Sequence, residues 1–490
     1  MPLDPKTLLA RRSPFDRMEA AVVRAHLAQP DELATPLLDG LRYVLSMCRL
    51  GMVRNQHGVD VDLADALARY RWRVGGRLGP ALDQQQPDLW AAVRELPTLT
   101  KAARQHRHLL LKGFDIDPQS LDDEVTQRQL VVVCGGGGGS GYGYAGAYRR
   151  LHREGLQPSL VAGTSMGSLI SMFRARHRVF DAAKMVAAAR ALSWPTVFRV
   201  LEMESRYGIP ATLRLYLRAA LGNLFTLPEQ GDRMATFRDM EIPLLVCVTG
   251  VTMDGLRHDL GFYEHFLDDA VRPGVVFRHS KLRRLTRVMG LWAEFLATPG
   301  AIREIIFGGD ELTMDADVLD AAGFSSAVTG VIHYDVIRDD PRMRLLLDRL
   351  YAEKGITRLT EGGLVNNVPA RPAWTHVMAG KLPSGRRNPF VLALDCFAPL
   401  KRSFAWYPLQ QLVRPNVKAN MPYAHQYLAL RRRLSPVNLV PAVNQVVQAM
   451  DWTSQELGDD IPFIKEMCRT IAKLPEPHAS AVNGGTRGDP

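Results

Sequence analysis

The chain has few cysteines for its length, and they are scattered. Among its 490 residues there are five cysteines, and no Cys-x-x-Cys pair or Cys/His cluster brings them together. A zinc site needs closely spaced ligands, and an odd number of distant cysteines does not suit a disulfide framework. We therefore expect no metal and no other cofactor, and we expect buried thiols at Cys48, Cys134, Cys247, Cys396 and Cys468.

The sequence also lacks a long apolar stretch. No window approaches the roughly 20 apolar residues that span a bilayer as a helix. The first residues, MPLDPKTLLARRSPFDRMEAAVVR, are charged throughout and contain no apolar stretch of signal-peptide length. These absences favour a cytoplasmic protein.

Acidic residues are outnumbered by basic ones, 51 to 61, which gives a formal net charge of +10. Such an excess favours anionic partners, either nucleic acid or phospholipid headgroups. The chain has no zinc-finger spacing and no RNP-like aromatic motif, so we expect no nucleic-acid partner. Modest basic clusters lie at Lys281–Arg287 and Arg431–Arg433, and basic or amphipathic helices are a route to peripheral membrane association. The pattern carries no indication of oligomeric state.

The predicted elements divide the chain into four regions. Residues 1–128 show apolar residues at helical spacing without a convincing strand, which predicts an α-helical N-terminal extension. Residues 129–398 alternate short apolar runs with helical stretches, and residues 399–475 are predicted to be α-helical. Residues 476–490 are rich in Pro, Gly and small polar residues and are predicted to be a disordered tail.

Residues 129–398 show the pattern of an α/β domain. Short, mostly β-branched runs predict strands that are buried on both faces. Strands that alternate with helices form a mostly parallel sheet with helices on both sides. The predicted strands are LVVVC (130–134), SLVAG (159–163), IPLLVCVTGV (242–251) and PFVLALD (389–395), and residues 171–235 and 255–305 are predicted to be mainly helical insertions or lids.

A G-x-S-x-G motif lies between the second predicted strand and a helix. It reads Gly163-Thr164-Ser165-Met166-Gly167. A serine on such a turn projects its hydroxyl freely, because glycines two residues to either side let the backbones pack closely. Ser165 would also lie at a helix N-terminus, where unpaired N–H groups favour developing negative charge. The alternative is a tight turn without catalytic function.

A run of glycines, Gly135–Gly139, follows the first predicted strand. Backbone N–H groups of such a loop can donate to the oxyanion that forms during acyl transfer. A dinucleotide-binding fingerprint fits Gly136-x-Gly138-x-x-Gly141 formally, but the next strand does not end in the acidic residue that would bind the ribose. A P-loop would need a Gly-Lys-Ser/Thr that is missing. We therefore favour an oxyanion loop.

A third motif reads TEGGLVNNVP, from Thr360 to Pro369. Its Glu361 lies in a glycine-rich turn with Gly362 and Gly363. Such a turn can present a carboxylate as general base to a serine hydroxyl. By itself this signal is weak, because Glu-Gly turns are common on protein surfaces.

Together the three motifs resemble the patatin-like phospholipase family. The family's pattern is a glycine-rich loop, then G-x-S-x-G, then D-G-G or D-G-A far downstream. Here the three segments are CGGGGGSGYGYAGAYRRLHREGL, LVAGTSMGSLI and TEGGLVNNVPA. The stretches FRDMEIPLLVCVTGV and FSSAVTGVIHYD also resemble the family, and the similarity spans roughly residues 129–397 in the family's order.

The resemblance implies a three-layer α/β/α core and a Ser/acid dyad without histidine. Ser165 matches the family's nucleophile, and Glu361 occupies the position of its aspartate. The matching oxyanion glycines are Gly136, Gly137 and Gly138. The implied activity is hydrolysis of an acyl ester in a lipid, as in a phospholipase, lysophospholipase or acylglycerol lipase, through an acyl-enzyme. A lipid transacylase is a close variant, and a catalytically weak or inactive lipid-binding protein is the alternative.

The chain departs from the family's pattern at two positions. Glu361 is one methylene longer than the usual aspartate, so its carboxyl group reaches Ser165 only if the turn lies further back or the side chain folds. Ser140 stands where the family usually carries Arg or Lys, a residue that helps to order the oxyanion loop.

Two other residues could act as the base. Asp395 ends a predicted strand, where a helix cap or a salt bridge is the favoured interpretation. His376 completes the order Ser, acid, His of an α/β-hydrolase. It lies in RPAWTHVMAG, however, which is typical of an ordinary packed helix.

Overall fold

The computed structural model describes most of the chain, in two compact units. One unit holds residues 6–127 together with the described residues from Arg469 onwards, and the other holds residues 128–468 together with the described residues up to Pro5. The predicted disordered tail, the basic cluster Lys281–Arg287 and most of the predicted helical stretch 255–305 lie outside the described residues. The described residues are 4–199, 205–211, 213–253, 289–298, 300–336, 338–400 and 407–474.

The first unit is mainly helical, and its helices bury a shared aliphatic and aromatic core. Glu19 is buried in it between Arg42 and Arg49, whose guanidinium groups both pair with the carboxylate. Such pairing is what makes a buried charge tolerable. Its elements are α1 (Pro5–Ala28), α2 (Thr35–Arg49), β1 (Met52–Arg54), β2 (Asp60–Asp62), α3 (Ala68–Leu82), α4 (Leu89–Phe114) and α5 (Pro118–Thr126).

The first unit differs from the predicted helical extension in two ways. Strands β1 and β2 form an antiparallel hairpin, and three residues per strand are too few to show a period of two in the sequence. The chain also returns to this unit near its end. The Ile471 N–H donates to the Thr126 carbonyl at 3.1 Å, and Arg469 pairs with Asp39 at 2.5 Å. The predicted region 399–475 is therefore divided between the two units.

The second unit combines a central sheet with helices and a few short strands. Residues 289–297 are helical as well. Its strands are β3 (Gln129–Cys134), β4 (Leu160–Thr164), β5 (Phe198–Arg199), β6 (Leu213–Leu215), β7 (Thr226–Leu227), β8 (Arg233–Met234), β9 (Leu244–Val251), β10 (Ile302–Phe307), β11 (Ile332–His333), β12 (Arg358–Thr360), β13 (Pro389–Asp395) and β14 (Gln426–Ala429). Its helices are α6 (Tyr144–Arg153), α7 (Met166–Arg176), α8 (Ala182–Ala191), α9 (Trp194–Val197), α10 (Leu217–Phe225), α11 (Glu311–Met314), α12 (Val318–Ser325), α13 (Pro341–Lys354), α14 (Ala370–Met378), α15 (Tyr407–Asn420), α16 (Val443–Glu456) and α17 (Ile461–Cys468).

The central sheet is mostly parallel, which confirms the predicted fold class. Its strands lie in the order β10-β9-β4-β3-β13-β14, and β12 also pairs with β9. Only β10 and β12 run antiparallel to their neighbour within the described sheet. Every residue of β4, β9 and β13 is buried, as expected for apolar strands covered on both faces.

Strand β9 brings β4 and β12 end to end. One edge of β9 is occupied by β10, so β4 and β12 both lie along the other edge. β4 runs parallel to β9 and ends with Thr164 opposite Cys247. β12 runs antiparallel and ends with Thr360 opposite Thr249. The residues that follow the two strands therefore approach Val248 from opposite directions.

Three further regions predicted to be helical contain strand residues, and in 255–305 these are the first residues of β10 (Ile302–Phe307). Within 399–475, β14 pairs in parallel with β13 at the edge of the sheet. Its four residues are all half-buried, so the sequence QYLA shows neither a continuous apolar run nor a clear alternation. Within 171–235, the short strands β5 to β8 accompany α8, α9 and α10.

None of the described helices combines the length and the apolar content of a membrane-spanning segment. Four cysteines, Cys48, Cys134, Cys247 and Cys396, are free and buried as predicted, whereas Cys468 is half-buried.

Candidate active site

Ser165 lies on a sharp turn between β4 and α7. Its φ of 53° and ψ of −128° are a rare conformation for a residue with a side chain, and such conformations cost about 1–3 kcal/mol. Ser165 is only 6% exposed. Because α7 begins at Met166, the serine lies at a helix N-terminus, beside amides that have no partner within the helix.

The glycines on either side of Ser165 allow backbone to pack on backbone. A Cβ on Gly163 would lie 2.5 Å from the backbone of Gly167, and a Cβ on Gly167 would lie 2.2 Å from the carbonyl oxygen of Cys134. Neither neighbour is a flexible side-chain end that could move away. The spacing of G-x-S-x-G thus follows from the close approach of α7 to the ends of β3 and β4.

Hydrogen bonds hold the Ser165 backbone in this conformation. Its N–H donates to the Ser325 hydroxyl at 2.8 Å, and that hydroxyl donates to the carbonyl oxygen of Cys247 on β9 at 2.6 Å. The Ser168 hydroxyl donates to the Ser165 carbonyl oxygen at 2.6 Å. Sequence reasoning missed the role of Ser325. The signal that points to it is a pair of adjacent serines, Ser325 and Ser326, where the mainly apolar helix α12 ends.

Glu361 follows β12 and approaches Ser165 along the same edge of β9. The Thr249 hydroxyl on β9 donates to the Glu361 carbonyl oxygen at 2.6 Å, and the Glu361 N–H donates to the Ala327 carbonyl at 3.0 Å. Within the turn, the Gly363 N–H donates to Oε1 of Glu361 at 3.1 Å. The side chain is buried, and Oε2 makes no hydrogen bond to any described residue.

The surroundings of the Glu361 carboxyl group disfavour its charge. Burial raises its pKa from 4.5 to about 8, and the hydrogen bond from the Gly363 amide offsets this rise only in part. The Ser165 hydroxyl is also among the groups that lower this pKa. The structure contains no hydrogen bond from that hydroxyl to Oε2, and catalytic hydrogen bonds commonly become short and well aligned only when substrate binds.

The turn after Glu361 explains how the longer side chain is accommodated. Oε1 folds back onto the amide of Gly363, two residues later. A Cβ on Gly363 would lie 3.0 Å from this oxygen, so a side chain there would disturb the carboxyl group. A Cβ on Gly362 would lie 2.2 Å from the Cys247 carbonyl oxygen. The backbone contact requires glycine at position 362, whereas a side chain at position 363 would displace the carboxyl group of Glu361.

The glycine loop after β3 differs from the prediction in one respect. The Gly136 N–H donates to the Asn367 carbonyl at 3.0 Å, so it is not available to an oxyanion. The absence of a side chain at Gly136 instead lets the loop lie close to the serine. A Cβ at this position would lie only 3.2 Å from Cβ of Ser165. The N–H groups of Gly137 and Gly138 donate to no acceptor among the described residues. Gly138 lines the same cavity as Ser165.

A downstream segment, residues 434–439, holds the glycine loop. The Ser140 hydroxyl, which is fully buried, donates to the Leu434 carbonyl at 3.0 Å. The Gly139 N–H donates to the Pro436 carbonyl at 2.8 Å. The loop is thus ordered through a small buried hydroxyl and the backbone of residues 434–439, without the basic side chain that the family resemblance implies at position 140.

An apolar cavity opens beside Ser165. The space among its lining residues amounts to about 930 Å³, with open solvent at the mouth included. Helices α7, α8, α10 and α16 contribute aliphatic and aromatic side chains to its walls, and no charged residue is among the described residues that line it. Ser326 also lines it, and its hydroxyl makes no hydrogen bond to a described residue. Such a cavity suits an acyl chain.

The two other candidate bases lie in different surroundings. Asp395 accepts hydrogen bonds from the Tyr427 hydroxyl at 2.6 Å and from the Phe397 N–H at 2.7 Å. These partners take the place of the helix cap or salt bridge expected from the sequence, and burial raises the pKa of Asp395. His376 lies within α14, where burial lowers its pKa to about 4. Neither residue is among those that line the cavity.

The basic cluster Arg431–Arg433 is partly engaged within the fold. The backbone N–H groups of Arg431 and Arg432 donate to the Glu456 carboxylate, each at 2.8 Å. The Arg433 guanidinium donates to the Cys396 carbonyl at 2.5 Å. Among the described residues, His, Cys, Asp and Glu side chains form no group of three that could hold a metal ion.

Comparison with known proteins gives one finding for this region. A family model described as patatin-like phospholipase matches residues 132–374. The matched residues run from β3 into α14 and include the glycine loop, Ser165 and Glu361. No curated protein matches the chain at a significant level.

Replacing Gly167 by alanine tests the backbone packing at the turn. The new Cβ would lie 2.2 Å from a backbone oxygen, so we expect the free energy of unfolding to fall by about 3 kcal/mol or more, measured by urea denaturation. The control is Gly222→Ala in α10, whose Cβ would meet only the Arg218 side chain at 3.5 Å. Equal losses in the two variants would contradict the packing argument.

Replacing Glu361 by glutamine tests the buried carboxyl group. Between pH 4.5 and about 8 the unfolded chain loses the Glu361 proton while the folded protein keeps it, so the carboxyl destabilises the fold increasingly as pH rises. We expect Glu361→Gln to melt at a higher temperature than wild type at pH 8 and at nearly the same temperature at pH 4.5. A difference that does not change with pH would contradict the raised pKa.

Proposed function

Because the chain belongs through residues 132–374 to the patatin-like phospholipase family, a family of lipid hydrolases, we propose that it is a serine hydrolase of lipid acyl esters. In this proposal Ser165 is the nucleophile and Glu361 is the general base. Gly137 and Gly138 are the oxyanion donors, and the apolar cavity receives the acyl chain.

The observation that best supports the dyad is the meeting of β4 and β12 on one edge of β9. Ser165 and Glu361 are the residues that directly follow those strands. Glu361 has one carboxyl oxygen held by Gly363 and the other without a described partner. A general base needs an oxygen of this kind, free to accept the hydroxyl proton.

In the first step the ionised Glu361 takes the proton of the Ser165 hydroxyl as Oγ attacks the acyl carbonyl carbon. The negative oxygen that forms is stabilised by the N–H groups of Gly137 and Gly138, whose backbone is fixed before the reaction begins. Collapse of this intermediate breaks the ester bond. The departing alkoxide takes the proton from Glu361, which leaves an acyl-enzyme on Ser165.

In the second step Glu361 takes a proton from water, and the resulting hydroxide attacks the acyl-enzyme. The same two amides stabilise the second negative intermediate. The fatty acid leaves when Ser165 regains its proton from Glu361. If an alcohol replaces water, the same chemistry gives a transacylase, so the acceptor decides between these two activities.

The cavity supports a lipid acyl chain as the group that is transferred. Its described lining is apolar except for a few hydroxyl groups, and Ser165 lies in its wall. A hydrocarbon chain buried there would gain roughly 0.8 kcal/mol for each methylene removed from water. A short or charged acyl group would gain little from the same walls.

A fluorophosphonate probe tests the nucleophile. We expect the probe to label wild-type protein at Ser165, found by peptide mass spectrometry, and we expect Ser165→Ala to abolish both labelling and hydrolysis of long-chain acyl esters. The matched control is Ser384→Ala, which removes an exposed hydroxyl in a loop and should leave both unchanged.

Folded wild-type protein that takes up no probe and hydrolyses no ester would contradict the hydrolase proposal. If that protein still bound fatty acid, the alternative of an inactive lipid-binding protein would stand. Product analysis with and without an added long-chain alcohol separates hydrolysis from transacylation, because only the latter forms a new ester.

The pH dependence tests the general base. Only the ionised form of Glu361 can accept the serine proton, so kcat/KM should rise with pH and reach half its maximum near pH 8. Glu361→Asp shortens the side chain by one methylene and withdraws the carboxyl group from Ser165. We expect kcat to fall at least about ten-fold. A midpoint near pH 4.5, or an aspartate variant as active as wild type, would contradict this role.

A further inference from the structure

Helix α15 lies after the residues that match the family model, yet it contacts the turn that carries Glu361. The side-chain amide of Asn416 donates from Nδ2 to the carbonyl oxygens of Gly363 at 3.0 Å and Leu364 at 3.3 Å. Its Oδ1 accepts the Asn367 N–H at 3.1 Å. One side chain therefore satisfies three backbone groups of the acidic turn.

Gly363 links Asn416 to the carboxyl group. Its N–H donates to Oε1 of Glu361, and its carbonyl accepts from Asn416. Asn367 forms a second link, because its N–H is bound by Asn416 and its own carbonyl accepts the Gly136 N–H of the glycine loop. Both loops of the site are thus tied to the same half-buried asparagine.

A second asparagine fixes α15 to the same turn. Oδ1 of Asn420 accepts hydrogen bonds from Nδ2 of Asn366 at 3.1 Å and from the Arg371 N–H at 2.9 Å. Its Nδ2 donates to the Asn416 carbonyl at 2.9 Å. The backbone of Asn416 is therefore fixed by Asn420, and its side chain is fixed by the backbone groups that it binds.

We propose that Asn416 is a positioning residue for the site, which sets the Glu361 turn and, through Asn367, the glycine loop. The inference rests on the proposed function, since it assigns Asn416 a role only if Glu361 acts on Ser165. An asparagine suits this role because it donates and accepts at once. Aspartate would keep the acceptor, lose both donors and add a negative charge near Glu361.

The titratable groups described around Glu361 are neutral, paired or exposed. The effect of a new negative charge on the pKa of Glu361 should therefore be measurable. Cys247 on β9 is near enough to interact with the charge of Glu361, and burial keeps that thiol protonated by raising its pKa. Glu304 on β10 pairs with Arg371 on α14 at 3.0 Å, so these two charges offset each other. On α15 itself, Arg414 and Lys418 are exposed.

The test compares Asn416→Asp and Asn416→Ala with wild type in ester hydrolysis. For Asn416→Asp we expect the midpoint of the rising pH limb to move up by about one unit, because a nearby like charge disfavours ionisation of Glu361. For Asn416→Ala we expect kcat to fall about ten-fold with KM unchanged. The control Gln411→Glu adds the same charge on the same helix next to Arg414, with which Gln411 interacts, and should leave the pH limb in place.

A pH limb in Asn416→Asp no different from that of Gln411→Glu, or a kcat in Asn416→Ala equal to wild type, would overturn the inference. If Asn416→Asp does not fold, the kcat and KM of Asn416→Ala decide alone. Fluorophosphonate labelling of wild-type Ser165 distinguishes failure of the proposed function from failure of the role assigned to Asn416. Absent labelling defeats the proposed function itself, whereas labelling with unaltered Asn416 variants defeats only this inference.

Discussion

The positions of Ser165 and Glu361 both depend on one edge of β9. The edge accommodates β4 from one end and β12 from the other, and the two strands stop with Thr164 opposite Cys247 and Thr360 opposite Thr249. Only the position opposite Val248 lies between the two strand ends. Ser165 and Glu361 leave the sheet at this position. Strand pairing, rather than any direct bond between the two side chains, thus brings together groups almost two hundred residues apart in the chain.

The arrangement is costly, and the surrounding contacts offset the cost. Ser165 has a positive φ, and Glu361 is a buried carboxyl group whose pKa is raised to about 8. The Ser165 N–H donates to the Ser325 hydroxyl on α12, and the Thr249 hydroxyl on β9 donates to the Glu361 carbonyl, so both backbones are fixed. Asn416 holds the acidic turn from the other side. Proteins commonly accept strain and poor solvation of this kind at sites where reactivity requires them.

The sequence predicts the local features of the site better than its distant supports. The strand before Ser165, the helix after it and the close glycine contacts all follow from short-range pattern, because a buried parallel strand and a strand-to-helix turn leave strong local signals. The sequence pattern wrongly predicts that the Gly136 amide is available to an oxyanion. That amide donates to the carbonyl of Asn367, which lies far along the chain and leaves no local signal. The same holds for β14, whose four half-buried residues show no periodicity.

A contact within the acidic turn and a contact with a distant segment explain the two departures from the family pattern. Glutamate at 361 fits because its turn lets Oε1 fold back to Gly363, and serine at 140 fits because residues 434–439 supply a carbonyl for its hydroxyl. Neither compensation is visible from the motif alone. Each depends on a backbone conformation that only the folded chain defines.

The most direct measurement is a crystal structure of the protein after reaction with a long-chain fluorophosphonate. The proposed mechanism predicts phosphorus bonded to Oγ of Ser165, its alkyl chain in the apolar cavity and its free oxygen about 2.7–3.1 Å from the N–H groups of Gly137 and Gly138. Glu361 should lie against the modified serine. Phosphorus on a different residue, or a phosphonyl oxygen turned away from the glycine loop with Glu361 out of reach, would contradict it.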